Sequence, residues 1–330
     1  MGFYIESNSN DPHYNLALEQ YVFDNLDQSN EYIMLWQNDN SVIVGRNQNT
    51  IAEVNSAFVK EKNINVVRRL SGGGAVYHDL GNINFTFIRD SKINEIIFGD
   101  FCEPVLQVLN DFGVSAEFSG RNDLTIDGKK ISGNAQYIKK GRVMHHGTLL
   151  YDSNLEMVQN ALNAPDDKLQ SKGIKSIKNR VTNIRPFMKN DMSANEFMAA
   201  LRDKLFTAYN LKPYFLTEND NIEIEKIKDN IYSKWSWNYG ASLPFNIRKC
   251  RRIEGCGTIE ILIDVEKEGK IKNITFYGDF FGNSKQEMLA KKLTGCNYEL
   301  EEIKKAIQNE DITAIFHGLD EEKFLSLLFE

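Results

Sequence analysis

The chain has few cysteines, and none of them is arranged for chemistry. Its four, Cys102, Cys250, Cys256 and Cys296, form no C-x-x-C pair. That excludes a zinc ribbon or a disulfide framework and fits a reduced, cytoplasmic protein. Long apolar runs are also missing. No window approaches the roughly 18 consecutive apolar residues of a membrane span, and Met1-Gly2-Phe3-Tyr4-Ile5-Glu6 lacks the basic and apolar regions of a secretory signal. Glu6 stands where a myristoylation signal places Ser or Thr, so neither secretion nor membrane attachment is expected. Nor is there a basic excess: 39 Lys and Arg against 46 Asp and Glu give a net charge of -7. This argues against a general nucleic-acid binder, because phosphate contacts need a cationic surface. No internal repeat or low-complexity tract stands out. What is there is an ordinary globular composition, 42% hydrophobic and 26% charged, in 330 residues, enough for one large or two moderate domains.

Helical and strand patterns are mixed without strict alternation. Asp11-Pro12 caps a helix over about 12–26, whose apolar face carries Leu16, Ala17, Leu18, Tyr21, Val22 and Phe23. Strands at 32–36 and 41–45, a helix through Phe58 and a helix over 96–112 ending at Gly113 follow. A Ser193-x-x-Glu196 capping box opens a helix to Tyr209, and a second helix covers 222–232. Trp235 and Trp237 read as a packing plug before Pro244. From about Gly257 the pattern starts afresh with a hairpin around Glu268-Gly269 and helices at 284–293, 300–307 and 320–329. The class expected is α+β, with a mixed, largely antiparallel sheet, flanking helices and a small C-terminal α+β unit.

The stretch from Arg68 to Asn82, RRLSGGGAVYHDLGN, is the most informative. It lies between the strand-like Ile64–Val67 and the alternating Asn82–Ile88. Three glycines in a row allow positive φ and let a ligand approach main-chain N–H donors, which suits an anion. Arg68 and Arg69, adjacent on a strand, point to opposite faces, so at most one shares a pocket with the loop. Read alone, the tripeptide is more readily a glycine-rich hairpin flanked by surface charge. The spacing matches neither a Walker loop nor a dinucleotide fingerprint.

A second stretch, Gly120 to Ala135, folds on paper around the type I′ signal Asp127-Gly128. Ile126 then pairs with Lys129, Thr125 with Lys130, Leu124 with Ile131 and Asp123 with Ser132. Asp123, Thr125, Lys130, Ser132 and Asn134 gather on one face. A solvated hairpin face has the same composition, and the residues alone leave both readings open. Further on, alternation in Val143–Leu150 puts His146 and Thr148 on one face and His145 on the other with Gly147, and the pair lacks a third ligand for zinc. From Lys168 to Arg185 six basic residues, Lys168, Lys172, Lys175, Lys178, Arg180 and Arg185, occur with no acidic one. They make either a solvated charge run or a cationic flap.

Taken in order, NLALEQ, RRLSGGGAVYHDLGN, GRNDL, DGKKISGNAQ, HHGTLL, SIKNRVTNI, FYGDFFGN and LTGCNYELEEI resemble the lipoate-protein ligase A family over nearly the whole chain. The resemblance implies a biotin/lipoate ligase-like catalytic domain over 1–245 and an accessory domain over 246–330. It implies ATP-dependent activation of lipoate, and of octanoate, to lipoyl-AMP with release of pyrophosphate. Transfer to a lysine of the lipoyl domains of 2-oxoacid dehydrogenase E2 subunits or of glycine-cleavage H protein follows. ATP and Mg2+ are the implied cofactors. By the same resemblance Lys130 is the catalytic residue. Arg69, Gly74, Ala75, Val76, Tyr77, Asn122, Asp123, Lys130 and Arg180 surround ATP or the adenylate, with Asp123 touching Mg2+. Trp36, Arg69, Ser71, Gly72, Gly73, His78, Lys130 and His146 surround lipoate. Two rivals share this superfold: an ATP-independent octanoyl or lipoyl transferase with a cysteine nucleophile, and a non-catalytic protein that binds lipoyl domains. The absence of cysteine between Cys102 and Cys250 disfavours the first.

Overall fold

The computed structural model describes residues 1–90, 96–119, 122–162, 180–239, 245–266, 269–283 and 285–329. Lys168, Lys172, Lys175 and Lys178 of the basic run, Pro244, and Glu268 of the C-terminal hairpin turn lie outside them. The chain divides into two compact units. Met1–Val44, Thr50–Leu70 and Ala75–Tyr239 form the first; Gly45–Asn49, Ser71–Gly74 and Gly240–Glu330 form the second.

The first unit is built on strands β1 (Gly2–Glu6), β2 (Glu31–Trp36), β3 (Ser41–Val44), β4 (Asn65–Arg68), β5 (Val76–His78), β6 (Asn82–Asp90), β7 (Glu117–Ser119), β8 (Asp123–Ile126), β9 (Lys129–Lys139), β10 (Arg142–Leu150) and β11 (Lys212–Pro213). Eight of these make one sheet in the order β11-β1-β2-β6-β10-β9-β8-β7, and β4-β3-β5 make a second. In the large sheet β1 runs parallel to β2 and β11, and the other pairings are antiparallel. The expected mixed, largely antiparallel α+β architecture is the one observed. The centre of the sheet is buried on both faces. On β6 the polar set Asn82, Asn84 and Thr86 is as inaccessible as the apolar set Ile83 and Phe85. Period-2 alternation therefore does not mark a solvent face here; the polar side is covered by the helix Pro12–Asn25, capped by Asp11 accepting from the His13 amide at 2.9 Å.

Several boundaries differ from expectation. The helix expected through Phe58 is two short ones, Thr50–Glu53 and Ser56–Glu61. The helix expected at 222–232 begins at Glu218, where Thr217 and Asp220 form a capping box, and ends in a π-turn over Lys228–Tyr232. Only one tryptophan is a plug. Trp237 packs against the core and its Nε1 donates to the Arg68 carbonyl at 2.8 Å, whereas Trp235 is 63% exposed, stacked on Tyr239.

The second unit has a three-stranded antiparallel sheet, β12 (Ile247–Ile253), β13 (Gly257–Val265) and β14 (Ile271–Gly278), in chain order. The helices Gln286–Leu293, Leu300–Ile307 and Glu321–Phe329 close its core around Phe276, Phe316 and Phe324. β12 was not foreseen because four cations in Ile247-Arg-Lys-Cys-Arg-Arg-Ile253 mask its alternation. Within this unit Gly72 lies so close to the Phe280 carbonyl that a β-carbon would stand 2.4 Å from it. Gly73, at φ 89°, donates its N–H to the same oxygen at 3.4 Å. Here Gly72 and Gly73 serve close backbone packing, a demand distinct from the anion cradle expected of the triplet.

Gly81 sits in the turn before β6, where its carbonyl accepts from the Tyr151 and Asp152 amides at 3.1 and 2.9 Å. A β-carbon there would lie 2.1 Å from the Asp152 carbonyl, a main-chain atom that cannot step aside. Gly81→Ala should lower the unfolding free energy by about 1–3 kcal/mol, measured by urea denaturation.

Candidate active site

Arg68 and Arg69 part as alternation requires. Arg68 is a structural clamp: its Nε donates to the Trp237 carbonyl at 2.9 Å and an Nη to Thr50 Oγ1 at 2.6 Å. Arg69 turns the other way and is buried, donating to the Ile43 carbonyl at 3.1 Å. Burial lowers its pKa to about 10, against the nearby Glu19 carboxylate, which raises it, so the guanidinium stays charged at neutral pH.

Glu19, 1% exposed, is the centre of a network that sequence reasoning missed. The indole Nε1 of Trp36 donates to Thr86 Oγ1 at 2.9 Å, and the Thr86 hydroxyl donates onward to Glu19 Oε1 at 2.5 Å. His146 Nδ1 faces both carboxylate oxygens at 3.0 and 3.2 Å. An indole nitrogen only donates, which sets the direction of the whole chain. His146, Thr86 and Met34 are register partners across β10, β6 and β2, so the sheet itself lines these groups up. A signal for Glu19 was present: it is four residues after Asn15 and three before Val22, a carboxylate on the buried face of an apolar helix.

His78, 3% exposed at the end of β5, lies edge-on to Trp36 with ring centroids 6.3 Å apart. Its pKa is held at about 3 by burial and then by Arg69 and His146, so the ring is neutral. His145 is a satisfied core residue. Its nitrogens meet Gln136 and Asn134 at 3.0 and 3.2 Å and its ring stacks on Phe101 at 4.9 Å.

The hairpin holding Lys130 departs from the paper fold. Ile126 pairs with Lys129 and Thr125 with Lys130 as expected, but the register then slips: Leu124 faces Ser132 and Asp123 faces Gly133. Ile131 is the extra residue of a β-bulge, and a one-residue slip exchanges faces. The polar group expected on one side is therefore split. Ser132 bonds Asn134, which bonds His145, on one face. Lys130 lies on the other face, where its Nζ would be 2.9 Å from a β-carbon on Gly133 and is 2.8 Å from Asp123 Oδ1. Gly133 donates its N–H to Thr148 Oγ1 at 3.1 Å, and Thr148 shares a face with His146. The bulge thus puts the Lys130 ammonium on the His146 side of the sheet, with the lysine side chain 35% exposed.

A strap from the basic motif pins this bulge. The Lys130 amide donates to the Arg180 carbonyl at 2.8 Å and the Thr182 amide to the Lys130 carbonyl at 2.9 Å. The Asn183 side chain then clamps the Ser153 main chain in both directions, at 2.9 and 3.1 Å. Asn122 is occupied in joining strands, its Nδ2 donating to the Asn134 carbonyl at 2.6 Å. Tyr77 turns its side chain into a core cluster with its hydroxyl on Asn40, so only its main chain faces elsewhere. Val76 packs on the main core, Ala75 is half-buried and Arg180 is exposed. Ser71, Gly72, Gly73 and Gly74 belong to the second unit, with Gly74 exposed. Among the described residues no three His, Cys, Asp or Glu side chains come together to hold a metal.

Residues 11–206 match the model of the lipoyl protein ligase A/B catalytic domain, and residues 242–328 that of the bacterial lipoate protein ligase C-terminus. The chain belongs to the lipoate-protein ligase family. It is an enzyme of that kind, 44% identical to the lipoate-protein ligase LplJ of Bacillus subtilis over the full length of both. With lipoate-protein ligase 1 of Staphylococcus aureus it shares 42% identity over 99% of this chain and 100% of that one. Among solved structures, P. falciparum LipL1 in complex with lipoate superposes with a TM-score of 0.80 at 26% identity, covering 99% of this chain and 97% of that one. A lipoate-protein ligase A bound with ATP gives 0.63 at 27% identity over 73% and 99%. A bi-partite archaeal ligase from Thermoplasma acidophilum, studied with its E2 lipoyl domain, gives 0.64 at 29% over 74% and 99%.

For this ligase the buried neutral histidines have a thermodynamic consequence. Below the ordinary 6.5 the unfolded chain takes up protons that folded His78, at about 3, refuses. Stability is therefore complete above 6.5 and falls as pH drops toward 3. Urea midpoints should decline from pH 7.5 to 5 in the wild type and less steeply in His78→Gln.

Proposed function

We propose that the enzyme joins lipoate to the α-phosphate of ATP and passes the lipoyl group to a lysine of an acceptor lipoyl domain or H protein. A lipoate carboxylate oxygen attacks the α-phosphorus and pyrophosphate leaves. The acceptor's neutral ε-amine then attacks the acyl carbon, AMP leaves with the electron pair of the broken bond, and the amine proton passes to solvent. Bringing a carboxylate to a phosphate concentrates negative charge, and preorganised cations offset it best.

The observation that carries this reading is Lys130. Its ammonium is partly exposed on the His146 side of the sheet, paired with Asp123, and the strap fixes its main chain. Lys130 acts as an electrostatic clamp on the carboxylate and α-phosphate. The family resemblance assigns Arg69, the Gly74–Tyr77 main chain, Asn122 and the exposed Arg180 to the adenylate, and Trp36, Ser71, Gly72, Gly73, His78 and His146 to lipoate. Among the described residues no protein-only cage for a metal is present, but Mg2+ bound mostly by nucleotide phosphates and water needs a single carboxylate, and Asp123 is suited to it. The metal would supply charge neutralisation of those phosphates. The lipoate- and ATP-bound relatives support both substrates, and the archaeal ligase with its lipoyl domain supports that acceptor class.

A transferase mechanism is less well supported. In the first unit Cys102 is buried and burial pushes its thiol up to about 12, the opposite of an activated nucleophile. The described cysteines are all free, in keeping with a cytoplasmic setting, and no helix among the described residues is long and apolar enough to cross a membrane.

Intact-mass measurement of an apo lipoyl domain and an apo H protein, incubated with enzyme, lipoate and Mg-ATP, tests the proposal. A gain of one lipoyl group only when ATP is present is expected; transfer from an acylated carrier without ATP would overturn it. Lys130→Ala should reduce lipoate-dependent pyrophosphate release by at least about a hundredfold. Gly133→Ala should fold normally yet slow the same step, because its methyl displaces the flexible Lys130 ammonium.

A further inference from the structure

The orientation of His78 can be deduced bond by bond. Asn15 Nδ2 donates to the main-chain carbonyls of Ser9 and Gln37, each at 2.9 Å, and carbonyls only accept. That fixes the Asn15 amide. The two carbonyls take both protons of that Nδ2, and Asn38 faces it at 2.9 Å; an NH2 there would set donor against donor, so Asn38 turns its Oδ1 to Asn15 and its Nδ2 to His78 Nδ1 at 3.1 Å. His78 Nδ1 must then accept, and the neutral ring carries its proton on Nε2. Asn15 and Asn38 are fully buried, so water does not compete for these bonds.

The Nε2–H that results is buried and has no acceptor among the described residues. A buried donor without a partner is costly, and a binding site that retains one points to an acceptor supplied from outside the chain. Position indicates which part of the ligand that is. His78 is 3% exposed and stands against Trp36 under the influence of Arg69 and His146. The Lys130 side chain, on the same side of the sheet as His146, is 35% exposed. With the carboxylate end of the acid assigned to Lys130 in the ligase reading, the buried His78 is left for the other end.

Resting on the ligase reading above, we propose that His78 Nε2–H donates to the distal end of the acyl substrate and selects acids that carry an acceptor there. The dithiolane sulfurs of lipoate offer weak acceptors; the terminal methyl of octanoate offers none and leaves the donor buried and unmet. His78 is thus a specificity-determining residue, with Asn15 and Asn38 holding its tautomer.

The test is kcat/KM for pyrophosphate release with lipoate and with octanoate, in the wild type, His78→Leu and His78→Gln. The lipoate-to-octanoate ratio should fall about fivefold or more in His78→Leu, and His78→Gln, which keeps an N–H donor, should recover part of it. Both acids losing activity equally in His78→Leu would overturn the proposal and leave His78 a packing residue. Wild-type enzyme active with neither acid would instead remove the ligase reading, and the proposal with it. Should His78→Leu fail to fold, nitrogen-15 NMR of the wild type decides. The Nε2–H resonance should shift on adding lipoate and stay in place with octanoate at saturation; equal shifts would refute the selection.

Discussion

A carboxylate buried to 1% exposure is the constraint around which the first unit is arranged. A polar group so far from water is tolerated only when its oxygens are hydrogen-bonded. Glu19 has the Thr86 hydroxyl, His146 Nδ1 and the field of Arg69. Each of those groups is held by something else: Thr86 by Trp36, His146 by its register on β10, Arg69 by the Ile43 carbonyl. Arg69, itself desolvated, is sustained by the same carboxylate. The polar interior is therefore mutually supporting. Removing any one member strands a charge or a donor where water cannot reach it.

The site grades from this fixed interior to an adjustable edge. Deep in the fold, the Asn15 and Asn38 amides and the His78 ring are oriented by a chain of donors and acceptors anchored on main-chain carbonyls. At the edge, Lys130 is a flexible ammonium paired with Asp123, and precision comes from its backbone: a bulge aims it and a strap holds it. In the proposed ligation the buried groups would meet the acyl chain, and the Lys130 cation the carboxylate and phosphate.

Much of this was legible in residue order. The cap at Asp11-Pro12, the capping box at Ser193 and Glu196, the divergence of Arg68 from Arg69, and the separation of His145 from His146 are local rules, and the structure follows them. Glu19, Thr86, Asn15 and Asn38 were not recognised because a polar residue on a regular element looks solvated until the neighbouring element covers it. β12 was hidden by its own cations, and the association of Ser71–Gly74 with the second unit by the distance along the chain to Phe280.

By itself the sequence determined the α+β class, the type and rough extent of most elements, and the family, since caps, period and motif strings depend on neighbours in the chain. Tertiary structure decided which face each polar group serves. The slip at Ile131, which parts Lys130 from Ser132 and Asn134, is one residue long, and paper pairing had no reason to include it. It is accompanied by two hydrogen bonds from a segment far along the chain, Arg180 to Thr182. In a strand one residue is half a period, so a bulge reverses every side chain beyond it. The location of the ammonium therefore rests on contacts that residue order alone does not reveal.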